Sequence, residues 1–84
     1  PPVSADANYS VQIAAFTDRG RRDTYILESP VDRADLILSQ GLRSGKTWWL
    51  VLYGSYHDYA EALEAQSHLA ENYGLTETWI KPLD

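Results

Sequence analysis

Apolar and polar positions alternate along this chain in a phrase that occurs twice. Tyr9 to Phe16 (YSVQIAAF) returns forty residues later as Trp49 to Tyr56 (WLVLYGSY). Both copies read aromatic, any residue, Val, any residue, apolar, small, small, aromatic. A period of two over such a length predicts a half-buried strand. In the first copy Tyr9, Val11 and Ile13 point one way, and Ser10, Gln12 and Ala14 the other. The stretch that follows each copy reads as helical, so the repeat proposes a strand–helix–strand unit used twice.

The first helix is predicted after a cap at Thr17 or Asp18 and ends at Pro30. Three arginines, Arg19, Arg21 and Arg22, crowd its first turn, where the macrodipole disfavours cations. Tyr25, Ile26 and the stem of Arg22 give it an inner face. Ala34 to Ser39 reads as the second strand, and Gln40 to Lys46, with two glycines, as a hairpin loop longer than a two-residue turn. Thr47 to Tyr53 is the third strand, after which Gly54 to Tyr56 leave the sheet. Asp58 caps the second helix, with Glu61 three residues on in capping-box spacing. Ala62, Ala65, Leu69 and Tyr73 share one face of that helix, and Gly74 stops it. Thr76 to Leu83 is the last strand.

The order βαββαβ with two right-handed crossovers predicts an α+β, ferredoxin-like (RNP-like) fold: a four-stranded antiparallel sheet with both helices on one face. Val11 and Val51 hold equivalent places in the repeat, so both should meet the helices, together with Tyr9, Ile13, Trp49 and Tyr53. Gln12, Trp48, Leu50 and Leu52 then lie on the uncovered face. If Ile80 is inside, Trp79 and Lys81 join them there. Two tryptophans and two leucines facing water form an apolar patch of the kind that marks a ligand, a partner or a second layer. Packing against the chain before Tyr9 is the plainer role for Trp48 and Trp79, and edge packing the plainer role for Leu50 and Leu52. An amide such as that of Gln12, set beside flat rings, suits a sugar, whose C–H faces meet an indole and whose hydroxyls meet the amide.

Composition narrows the choices. Eighty-four residues with 44% hydrophobic content make one small globular domain. Residues 1–8, which begin Pro1-Pro2, read as the end of a linker, and 9–84 as the domain. There are no cysteines to form disulfides or thiolate metal sites. The longest apolar run, Trp48 to Tyr53, is far short of the ~20 residues of a membrane helix. A net charge of −5, from seven basic residues against twelve acids, argues against nucleic acid as a partner.

Catalytic chemistry finds no support in the residues. His57 and His68 lie eleven apart without converging ligands, Ser55 is not in a nucleophile elbow, and no phosphate loop is present. The expectation is a binding domain with no catalytic residue, metal or cofactor.

Residues 11–16 (VQIAAF), 49–56 (WLVLYGSY) and the helix that opens with Glu61-Ala62 and closes before Gly74 resemble the SPOR domain. The likeness spans roughly residues 9–83, and its motifs are specific in their order and spacing rather than singly. Lys46 to Gly54 and Thr78 to Leu83 look most like a branch that works in bacterial cell division. The resemblance implies a peptidoglycan-binding module for glycan strands stripped of stem peptides, which accumulate at the division septum. It implies a periplasmic domain of a single-pass inner-membrane protein, joined to the membrane only through a segment outside this sequence. Carried over by motif position, the family's binding residues fall at Gln12, Ala15, Trp48 and Trp79, with Leu50 and Leu52 flooring the groove. Ala15 departs from the family, where Ser is common, and the arginine-rich first helix departs as well. A protein-interaction module for other division proteins, using the same face, is the alternative. An RNA-binding domain of the same element order would need basic groove residues, and only Lys81 and Arg43 or Lys46 come near.

Overall fold

The computed structural model describes residues 7–83. In chain order the elements are β1 (Tyr9–Phe16), α1 (Arg19–Glu28), a 3-10 turn (Arg33–Asp35), β2 (Leu36–Arg43), β3 (Lys46–Tyr56), α2 (Tyr59–Tyr73) and β4 (Trp79–Pro82). The sheet order is β2-β3-β1-β4, with every neighbouring pair antiparallel. This is the α+β, ferredoxin-like arrangement that the element order predicts. Residues 1–6 of the expected linker, and Asp84, lie outside the described residues. Asn8 is tied to the sheet: its N–H donates to the Tyr56 carbonyl at 2.9 Å, and its carbonyl accepts from Leu83 N–H at 2.8 Å.

The core lies between the sheet and the helices. Val11, Ile13, Leu36 and Val51 from the strands meet Ile26 of α1 and Ala65 and Leu69 of α2, with Val31 from the connection. Each fully buried aliphatic side chain there contributes roughly 1.5–3 kcal/mol of hydrophobic free energy. Helix α2 begins with the predicted capping box. Glu61 N–H donates to the Asp58 carboxylate at 2.9 Å, and the Glu61 carboxylate accepts from His57 N–H at 3.0 Å and Asp58 N–H at 3.4 Å. It ends where Gly74 N–H and Leu75 N–H donate to the carbonyls of Ala70 and Leu69.

Helix α1 shows what its arginines do. The Asp18 carboxylate accepts from Gly20 N–H at 2.8 Å and caps the helix. The inner face is Arg22, Ile26 and half-buried Tyr25, which meets Phe16 with ring centroids 5.5 Å apart. The guanidinium groups of Arg22 and Arg19 lie 5.3 and 5.8 Å from the Trp49 ring. Arg22 also donates twice to one carboxylate oxygen of Asp23, at 2.8 and 3.1 Å. A cation over an indole is worth about 0.5–2 kcal/mol, depending on desolvation. That is enough to offset the roughly 0.3–1 kcal/mol a cation loses at a helix N-terminus. Trp49 therefore sits on the helix side as predicted, half-buried and covered by charged side chains rather than by leucines.

Four boundaries differ from the expectation. Strand β2 runs to Arg43 and β3 starts at Lys46, so the connection is the two-residue turn Ser44-Gly45 and not a long loop. Both turn residues have positive φ, 52° and 79°, which is the type I′ geometry that matches strand twist, and Gly45 adopts it without strain. Gly54 to Tyr56 stay in the sheet. Tyr9 faces Tyr56 while Val11 faces Tyr53, so β3 carries one extra residue there, a bulge. Gly54 holds that bulge at φ 67°, and a Cβ on it would collide with the Tyr56 hydroxyl and lie 2.7 Å from Cζ of that ring. The buried Ser10 hydroxyl donates to the Gly54 carbonyl at 2.6 Å and fixes the same spot. Strand β4 is short, and Thr76 to Thr78 are outside it.

The fourth difference moves a side chain from one face to the other. Gln12 faces Leu52 and Ala14 faces Val51, so β1 carries an extra residue at Ile13. Two consecutive residues, Ile13 and Ala14, then serve the helix side, and both pack in its core cluster. Ala14 is thus not on the open face with Gln12. Ala15 takes that place, opposite Leu50.

Candidate functional site

Directly opposed residues in an antiparallel ladder share a face. Gln12 opposes Leu52 on one side and Trp79 on the other, Ala15 opposes Leu50, and Trp48 opposes Gly41. All six residues that sequence reasoning selected therefore lie on the helix-free face of the sheet. The floor is a second apolar cluster of Ile37, Leu50 and Leu52, against which Ala15, Trp48 and Leu83 pack.

A cavity of about 190 Å³ opens on this face, lined by Gln12, Ala15, Trp48 and Leu50. Leu52 is 1% exposed and lies beneath the surface, so it supports the groove from below. Trp79 is 61% exposed and stands beside Gln12, outside the cavity wall. It is the largest exposed aromatic surface in the domain. The Gln12 amide makes no hydrogen bond among the described residues, so its donors and acceptor are available to a ligand.

Four further residues line the cavity: Gly41, Leu42, Arg43 and Lys81. Lys81 was legible, since it lies two residues from Trp79 and shares its face. Gly41, Leu42 and Arg43 reach the groove only because β2 continues to the type I′ turn. Opposite Trp48, Gly41 presents no side chain, and a Cβ placed there would meet nothing within 4 Å, so the groove is open at that point.

A larger cavity of about 620 Å³ lies away from this face, as an open shelf beside α1. Phe16, Tyr25, Pro30 and Leu75 give it apolar walls, with Asp18, Arg21 and Glu28 at its margin. Burial raises the Tyr25 pKa above its ordinary value. Tyr56, on the helix side, is pushed up to about 12 by burial, with the charges of Tyr53 and Asp35 adding to the effect. Among the described residues no cluster of His, Asp and Glu has the geometry to hold a metal ion, and no helix is long and apolar enough to cross a membrane.

The groove as built offers an apolar floor, two indoles, one free amide and two cations. That set suits a flat, hydroxylated ligand. No curated protein matches the chain significantly. The model of the SPOR domain family matches residues 5–82, nearly the whole length. SPOR domains are peptidoglycan-binding modules and occur in periplasmic division proteins. By its element order, its sheet topology and this match, the chain belongs to the SPOR domain family.

Proposed function

We propose that this domain binds peptidoglycan glycan strands that lack stem peptides, through the helix-free face of its sheet, and so brings its parent protein to the division septum. The observation that carries the reading is the groove itself: Gln12, Ala15, Trp48 and Leu50 line one cavity, with exposed Trp79 beside it. Trp48 and Trp79 stack on sugar faces, and Gln12 bonds hydroxyl or N-acetyl groups. Leu50 and the buried Leu52 form the floor. Ala15 adds no hydroxyl contact, and its small size lets a sugar approach the backbone. A stacked ring contributes about 1–2 kcal/mol, on the scale of aromatic stacking on nucleobases. The domain acts without chemistry, and its parent is held at the membrane by another segment.

Sedimentation with amidase-treated sacculi tests this. The domain should pellet with them, and muramidase digestion of the sacculi should release it. Trp79→Ala and Gln12→Ala should each weaken binding, by about five- to thirtyfold for the tryptophan. If both variants pellet as well as the parent does, the groove is not the site. If muramidase leaves binding intact, the face binds a protein instead.

A further inference from the structure

We infer that Arg43 and Lys81 make this groove selective for a glycan bearing free carboxylates, so that the ligand is recognised by a charge that stem-peptide removal creates. The inference rests on the glycan reading above.

Its basis is the distribution of charge. The domain carries twelve acids against seven basic residues. Among the described residues no acid lines the groove, whereas Arg43 enters it from the hairpin end of β2 and Lys81 from β4. The acids line other hollows: Asp18 and Glu28 the shelf beside α1, Glu77 a cavity near Gly74, and Asp23 one beside Leu27. Among the described residues neither Arg43 nor Lys81 is in an ion pair, the ion pair there being that of Arg22 with Asp23. Two cations facing one hollow, neither in an ion pair with a described residue, are complementary to an anion. Their chemistry fits carboxylate, which a guanidinium holds with two parallel hydrogen bonds and an ammonium as a point charge.

A muramyl sugar supplies that group only after its peptide has gone. The stem peptide is joined to the lactyl ether through an amide, which is neutral. Hydrolysis of that amide consumes one water, releases the peptide as an amine and leaves a lactyl carboxylate, ionised above about pH 4. A stripped strand is therefore a polyanion with one such carboxylate per disaccharide. The reaction that supplies this ligand is amide hydrolysis, and the groove reads its product.

The test uses one purified, stem-peptide-free glycan oligosaccharide in two forms, with lactyl carboxylates free or converted to methylamides. The domain should bind the free-carboxylate form about tenfold more tightly, two partly exposed ion pairs each giving about three- to fivefold. Salt between 50 and 200 mM should narrow that preference, a range over which the screening length falls from roughly 14 to 7 Å. Arg43→Gln and Lys81→Gln should each close part of the gap between the two forms. Lys46→Gln, across the turn from Arg43 but outside the groove wall, should keep it. Equal affinity of the parent domain for both forms would overturn the charge reading and leave glycan binding standing. So would variants that weaken both forms alike. Failure to bind either form would overturn both readings together.

Discussion

Deleting Ile13 should leave the sheet in register. In β1 this residue is the extra one, because Gln12 already opposes Leu52 and Ala14 already opposes Val51. With Ile13 gone, Gln12 and Ala14 become consecutive and point to opposite faces, as their partners on β3 require. Ala15 stays opposite Leu50 and Phe16 opposite Trp49. The cost is the lost side chain, which is 8% exposed and packs in the main core cluster. Truncating a buried Ile to Ala costs about 2–5 kcal/mol, the upper end applying where a cavity remains. Deletion lets the ladder close up, so about 2–3 kcal/mol is expected. A domain of 84 residues has roughly 4–13 kcal/mol of total stability, so the variant should still fold. Urea unfolding with an m-value near 1 kcal/mol per M would show the midpoint lowered by about 2–3 M. Ile13→Ala, which keeps the bulge and leaves a hole, should be destabilised at least as much. In a strand without a bulge, deletion would flip Ala14, Ala15 and Phe16 to the wrong faces and separate Phe16 from Tyr25. The reasoning is refuted if the deletion variant is unfolded while Ile13→Ala folds.

Other consequences follow from the same structure. Arg22→Ala should cost about 1–2 kcal/mol by uncovering Trp49, while the exposed Arg21→Ala should stay within about 0.5 kcal/mol, both read from thermal unfolding. Asp58→Ala removes the acceptor of the capping box and should cost about 1 kcal/mol in the same assay. Tyr56 has a folded pKa raised to about 12 against 10.0 for the free side chain, so the unfolded chain loses this proton first. Its contribution is fully present below pH 10 and is lost as pH rises through about 12. Tyr56→Phe should flatten that part of the stability profile, and an unchanged fall in Tm over this window would assign the loss to other groups.

Much of the fold was legible because the repeat encodes it. The valines at 11 and 51 mark equivalent core positions, and Asp58 with Glu61 states a helix start in local chemistry. What was hidden depends on pairing between strands. Alternation counted from Tyr9 puts Ala14 outside, and only the partner strand reveals that Ile13 is an extra residue. The family resemblance pointed to Ala15, and the bulge supplies the physical reason that a residue at odd spacing from Gln12 joins it on one face. The turn at Ser44-Gly45 was masked by Gly41, which reads as part of a loop but lies in a strand, where its missing side chain opens space opposite Trp48. The arginines of α1 look misplaced against a helix dipole until Trp49 is seen beneath them. The sequence leaves Arg43 and Lys46 as alternatives near the groove, and the pairing of the hairpin separates them, with Arg43 in the groove wall and Lys46 outside it.

The central claim is that the helix-free face, and not the larger shelf beside α1, holds the glycan. Titrating ¹⁵N-labelled domain with a short stem-peptide-free glycan and following amide and indole resonances tests it directly. The account predicts saturable shifts together at Gln12, Ala15, Trp48 and Leu50 and at the indoles of Trp48 and Trp79, with Thr24, Tyr25 and Glu28 unmoved. Saturable shifts at Thr24, Tyr25 and Glu28 with a silent groove would contradict it.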